Sequence, residues 1–195
     1  VGRFFIVEEI GWIKEIIEIV ERIRSFQEPG QLRIEVNAGG AFHGIVKPAE
    51  ISAKLISAGG ETDISKAIEK AISENDSIGG VIVCVVNKPQ KSLGEPFFYS
   101  FESALSHLVF SIPAIKGIEF GSGFSSAFMK GSVHNDPFID SAGKTATNNS
   151  GGINGGISNG NEIVFRAVVK PTSSTGVEQK TFDFSKGRST TLNVK

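Results

Sequence analysis

Glu162-Ile163-Val164-Phe165-Arg166-Ala167-Val168-Val169 is an apolar run broken by one arginine, and it reads as a strong β-strand. On its C-terminal side it runs into Lys170-Pro171-Thr172-Ser173-Ser174, which brings a lysine and three hydroxyl-bearing side chains to a strand end. On its N-terminal side stands Thr147-Asn148-Asn149-Ser150-Gly151-Gly152-Ile153-Asn154-Gly155-Gly156-Ile157-Ser158-Asn159-Gly160. A stretch so rich in Gly, Asn and Ser has no core to bury and predicts neither an ordinary helix nor an ordinary strand. What it offers is backbone access, because glycines adopt φ > 0 and let N–H groups approach a ligand closely. Most such loops are surface connections, and most Lys-Pro pairs mark strand ends. Side by side, the two segments predict a pocket for something flat, polar and anionic.

Working outward, the spacing of Ile6, Ile10, Ile13, Ile17 and Val20 predicts an amphipathic helix over residues 6–26, closed by Pro29-Gly30. Leu32-Arg33-Ile34-Glu35-Val36 alternates like a strand. Pro48 predicts the opening of a helix through about residue 57, since proline suits a first turn. Ile64 to Ile72, behind Thr62 and Asp63 as caps, predicts another helix. A turn over Asp76–Gly80 leads to an apolar strand, Gly80–Asn87. Residues 100–111 carry Phe101, Ala104, Leu105, Leu108 and Val109 at helical spacing, and Pro113 ends that helix. Ala114–Phe120 reads as a strand, Ser125–Met129 as a short helix or turn, and Thr181–Phe184 as a weaker strand. Past Gly187 the chain trails into polar residues. Strands and helices alternate without a strict βαβ rhythm, which favours an α/β sandwich over a doubly wound sheet.

The 195 residues are 39% hydrophobic, enough for one substantial core in a single domain. A formal net charge of −1 gives no bulk signal for nucleic acid or an acidic membrane. Cys84 is the only cysteine, so these residues hold neither an intramolecular disulfide nor a cysteine-based zinc site. It lies in an apolar strand, where a buried, inert thiol is expected. No apolar stretch is long enough to cross a bilayer and no signal peptide is visible, so a cytoplasmic, reducing setting is expected. His43, His107 and His134 lack the paired spacing of a metal site. His107 reads as structural, His134 as a turn residue, and Glu95 and Glu119 as strand-end or paired carboxylates.

Several segments, taken in order, resemble the chorismate synthase family. They are Asp76-Ser77-Ile78-Gly79-Gly80-Val81, Leu93-Gly94-Glu95-Pro96-Phe97-Phe98, Ala104-Leu105-Ser106-His107, Ser111-Ile112-Pro113-Ala114-Ile115-Lys116-Gly117-Ile118-Glu119-Phe120-Gly121-Ser122-Gly123-Phe124 and Asn135-Asp136-Pro137. The glycine stretch and the Lys170 segment close the series. The match covers residues 76–188 of one domain spanning 1–195, with 1–60 divergent. The resemblance implies an α/β (α+β) fold, a layered sandwich of antiparallel sheets with helices between them, assembling as a homotetramer. It implies a lyase that converts 5-enolpyruvylshikimate-3-phosphate to chorismate and phosphate with reduced FMN. Carried over by residue, it places Pro113, Ala114, Gly155, Lys170, Pro171, Thr172, Ser173, Ser174 and Arg188 at the flavin.

The chain also departs from the family pattern. The family's Gly-Glu-Ser-His-Gly motif has no counterpart, and its Ser-Gly-Arg segment is matched only by Gly40-Ala41-Phe42-His43-Gly44-Ile45, with Ile45 in place of arginine. After Gly187-Arg188 the chain continues as Ser189-Thr190-Thr191-Leu192 rather than His-Asp-Pro-Cys. No catalytic residue is assigned; His43, between glycines, is the substitute candidate. Two other readings stand beside the lyase. One is a non-catalytic binder of flavin or a phosphorylated ligand, and the other is a self-associating structural fragment using the helix over 6–26.

Overall fold

The computed structural model describes residues 50–192. The helix expected over 6–26, the strand over 32–36, His43 and Ile45 lie outside the described residues. In chain order the elements are β1 (Glu50–Ala58), α1 (Ile64–Ser73), β2 (Gly80–Asn87), α2 (Phe101–Phe110), β3 (Ile115–Phe120), a 3-10 segment (Gly123–Phe128), α3 (Gly131–His134), β4 (Ile153–Asn154), β5 (Ile157–Ser158), β6 (Ile163–Val169), β7 (Gln179–Asp183) and β8 (Arg188–Leu192). The result is a mixed α/β architecture of antiparallel sheets with helices.

Four strands form the main sheet in the order β1-β2-β6-β3, each antiparallel to its neighbour. Register decides which side chains go inside. Leu55, Ile82 and Ala167 lie across from one another, as do Ala53, Cys84 and Phe165, and then Ile51, Val86 and Ile163. On the far strand Ile118 faces Ala167 and Phe120 faces Phe165. With a period of two, this aligned apolar set occupies a single face. Leu105 and Val109, one turn apart on α2, pack with Ile82, Cys84, Phe165 and Ala167 in the same core. Phe165 and Cys84 are fully buried. Burying a side chain the size of Phe165 is worth about 1.5–3 kcal/mol.

The helices start where side-chain oxygens cap them. The Asp63 carboxylate accepts from the Lys66 amide at 3.1 Å and opens α1, whose buried Ala67 and Ala71 share one face. The Ser100 hydroxyl does the same for α2 through the Ser103 amide at 3.1 Å. Such caps are each worth about 1 kcal/mol.

Three expectations are corrected. Residues 50–58 form strand β1, not a helix continuing from Pro48. Ile51, Ala53 and Leu55 alternate with Ser52 and Lys54, and that period-two pattern pairs with β2, overriding a local helix-start signal. Residues 188–192 do not trail off; they form β8, paired with β7 from Asp183–Arg188 to Gln179–Leu192. This strand is exposed along its whole length, so it lacks the apolar alternation that marks a half-buried strand. The glycine stretch also has a core to reach. Ile153 is buried in the main cluster, and Ser158 is buried beside it.

Candidate functional site

The end of β6 carries the first cluster. The Lys170 amide donates to the Ala114 carbonyl at 2.9 Å, so Pro113-Ala114 and Lys170-Pro171 lie side by side. Ala114 holds a φ of +69°, unusual for a residue with a side chain. Beyond Pro171 the Thr172 carbonyl accepts from the Ser77 hydroxyl at 2.7 Å, and the Gly176 amide donates to the Asn75 carbonyl at 3.0 Å. Lys170, Ser173 and Ser174 are exposed, and their side chains have no partner among the described residues. One cation and neighbouring hydroxyls, fixed through their backbone and free at their tips, suit phosphate or carbonyl oxygens.

The glycine stretch forms the second cluster. Its start is anchored by Asp136, whose carboxylate accepts from the Asn149 amide at 2.7 Å, the Ser150 amide at 2.8 Å and the Thr147 hydroxyl at 2.7 Å. Partial burial works against the Asp136 charge, but these donors outweigh it and hold its pKa below the ordinary carboxylate value. Asn148 adds a second brace: its side-chain amide donates to the Glu162 carbonyl at 2.7 Å and its oxygen accepts from the Gly152 amide at 2.7 Å. The stretch then turns back on itself through β4 and β5, with Gly155 and Gly156 at the tip.

Those two glycines differ in kind. Gly156 is pressed against α2, its carbonyl accepting from the Phe101 amide at 2.8 Å, and an added Cβ would lie 2.6 Å from the Ser100 Cβ. Gly155 has a φ of +57° and nothing within 4 Å of where a Cβ would stand. Its missing side chain leaves an open space beside bare backbone, the kind of surface that a flat ligand can approach.

The two clusters are not together within one chain. The β4–β5 hairpin has its base, at Gly152, beside Glu162 at the start of β6 and its Gly155–Gly156 tip bonded to the N-terminal end of α2, whereas Ala114 and Lys170 lie beyond the C-terminal ends of both elements. The seven residues of β6 span about 20 Å between them. Arg188 is elsewhere again, exposed at the turn of the β7–β8 hairpin opposite Asp183. That turn is tied by Asp183, which accepts from the Ser185 amide at 2.9 Å and the Lys186 amide at 3.1 Å.

The remaining residues fall into place. Glu119 is the paired strand carboxylate expected, bonded to the Arg166 guanidinium at 2.7 Å and to the Phe124 amide at 2.9 Å. Glu95 sits in an exposed turn bridged to Tyr99. His107 is exposed in the last turn of α2, so it is not packed as a structural residue. His134 ends the short α3, beside the Asn135-Asp136-Pro137 turn. Burial pushes the Cys84 thiol up to about 12, as suits an inert core cysteine. Among the described residues no group of three or more His, Cys, Asp or Glu could hold a metal ion, and no helix is long and apolar enough to cross a membrane. Sequence reasoning gave Ser77 and Asp136 no role. Each stands inside a quoted motif, but its bonds reach 95 residues away in one case and 11 to 14 in the other, which no local pattern reveals.

The family model for chorismate synthase matches residues 7–195. The chain belongs to the chorismate synthase family. It is similar to the chorismate synthase of Chitinophaga pinensis, with 44% identity over 90% of this chain and 60% of that protein. The chorismate synthase of a Synechococcus species is 45% identical over 93% of this chain and 48% of its own length. That of Prochlorococcus marinus is 52% identical over 66% of this chain and 36% of its own. The chain thus spans between about a third and three fifths of the length of these curated relatives. A crystal structure of a chorismate synthase shares the fold with a TM-score of 0.60 at 24% identity, covering 65% of this chain and 50% of that one.

Proposed function

We propose that this chain serves the chorismate synthase reaction, the conversion of 5-enolpyruvylshikimate-3-phosphate to chorismate and phosphate with reduced FMN. The observation that carries the reading is the bond from Lys170 to Ala114. It joins two segments that the family resemblance independently assigns to the flavin, and the Lys170, Ser173 and Ser174 side chains there have no partner among the described residues.

The residues fit the group they would hold. Lys170, with Thr172, Ser173 and Ser174, would offer charge and O–H donors to anionic oxygens, and the open face at Gly155 would admit a flat ring against backbone. Reduced FMN, when bound, supplies electron density to the substrate as its phosphate leaves. The protein's part is to hold the partners in register, to balance the charge of the departing phosphate with cationic and N–H donors, and to keep water away.

Separation of Gly155 from Lys170 by the length of β6 supports an oligomeric site. An assembly that sets the glycine tip of one protomer against the Lys170 end of another would bring both clusters to one ligand. The family resemblance points to a homotetramer, and a cytoplasmic location goes with the same reading. The same separation also favours a second reading, in which the Lys170 end binds flavin or a phosphorylated ligand without turnover.

A titration with FMN, followed by flavin absorbance with and without 5-enolpyruvylshikimate-3-phosphate, tests both. Flavin binding tightened by substrate, with chorismate formed anaerobically, is the expected result. Binding without product would leave the second reading. Flavin that stays free at millimolar protein would end the lyase reading and the flavin-binding form of the second.

A further inference from the structure

We propose that Ser77 is a positioning residue that fixes the Lys170–Ser174 segment from the β2 side, across the end of β6 from Ala114, with Asn75 and Gly79 completing the clamp. The proposal rests on the flavin reading of that segment and adds what holds it in place.

The segment needs such a device. Its last sheet-like bond is the Lys170 amide to Ala114, and the next residue, Pro171, has no N–H to donate. Beyond that point the chain leaves β6 and would otherwise swing free. Three attachments catch it, all at the corner between α1 and β2. The Ser77 hydroxyl donates to the Thr172 carbonyl at 2.7 Å in a half-buried position. The Asn75 carbonyl accepts from the Gly176 amide at 3.0 Å. Ahead of both, the chain passes directly over Gly79, where an added Cβ would lie 2.6 Å from the Val169 carbonyl oxygen and 3.0 Å from the Pro171 Cδ.

The clamp is itself held. Asp76 accepts from the Ser77 amide at 2.8 Å, which fixes the backbone carrying the hydroxyl. Every one of these contacts engages the segment's main chain or its proline ring. None uses Lys170, Ser173 or Ser174 side chains, which stay exposed. A segment gripped by its backbone with its functional groups left free is arranged to present them to something else. The motif Asp76-Ser77-Ile78-Gly79 therefore acts through Lys170–Ser174 and touches no ligand itself.

The test compares the full chain with Ser77→Ala, Ser77→Thr and Asp63→Ala, reading FMN affinity, melting temperature and amide hydrogen exchange over residues 171–178. Loss of one half-buried hydroxyl donor should weaken FMN roughly three- to tenfold and speed exchange in that segment. Ser77→Thr keeps the hydroxyl and should restore both. Asp63→Ala removes the cap at the other end of α1 and should lower the melting temperature while leaving FMN affinity unchanged. Equal FMN affinity in Ser77→Ala and the parent chain, or an equal loss in Asp63→Ala, would overturn the proposal. If the parent chain binds no FMN, the flavin reading falls and exchange alone decides: faster exchange in Ser77→Ala upholds the clamp, and unchanged exchange removes it.

Discussion

The amide of Lys170 meets the carbonyl of Ala114 at 2.9 Å, and Ala114 reaches that position with a φ of +69°. A left-handed alanine is tolerated at a cost of about 1 kcal/mol, whereas a β-branched residue there is a true outlier. Ala114→Val should therefore destabilise the chain by about 1–2 kcal/mol beyond alanine, and Ala114→Gly should stay within about 1 kcal/mol of it. Denaturant midpoints measure both. If valine is as stable as alanine, the strained turn does not persist in solution.

Gly155 and Gly156 should separate binding from folding. Gly155→Ala faces open space and should cost about 1 kcal/mol, for its positive φ alone, while removing most FMN affinity. Gly156→Ala must also push against Ser100 and should cost about 2–3 kcal/mol. Parallel melting curves and flavin titrations would show the two substitutions failing in different ways. Equal flavin affinity in Gly155→Ala and the parent would remove Gly155 from the site.

Asp136 gives the glycine stretch a pH limit. Its pKa is held below the ordinary carboxylate value of 3.8, so its stabilising contribution is full above that pH and is lost as pH falls through the lowered folded value. Asp136→Asn keeps one acceptor and turns a donor toward amides that also donate. It should cost about 1–2 kcal/mol at neutral pH, reduced by solvent screening, and should flatten the acid limb of stability against pH. An unchanged acid limb would mean that other carboxylates govern acid unfolding.

Cys84 reports on the core. With its thiol at about 12 and its side chain fully buried, it should resist a disulfide reagent at pH 8 in the native state and react fully after denaturation. Phe165→Ala, on the strand opposite, should cost about 3–5 kcal/mol and expose that thiol. Rapid labelling of the unaltered chain would contradict the packed sheet.

The strands and helices legible in the sequence were those with a buried face. Gly80–Asn87 and Ile163–Val169 are nearly continuous apolar runs and Phe101–Phe110 carries apolar residues at helical spacing, because each contributes to the one core. β1 was hidden by Pro48, whose local preference says nothing about the partner strand Gly80–Asn87. β8 was hidden because an exposed hairpin places no apolar demand on its residues. At the candidate site, the segments at Ala114 and Lys170 were each legible, but the bond between them was not, since it depends on which strands pair. The distance from Lys170 to Gly155 did not follow, since nearness in sequence says little once a whole strand lies between two segments.

That strand-length gap has a genetic consequence. If each working site borrows its glycine tip from one protomer and its lysine end from another, two defective versions of the chain need not be defective together. A Gly155 variant and a Lys170 variant, each inactive alone, would co-assemble at equal amounts so that about a quarter of the sites carry neither lesion. Co-expression should then rescue growth or flavin binding where either variant fails. Two variants altered at the same end should never complement.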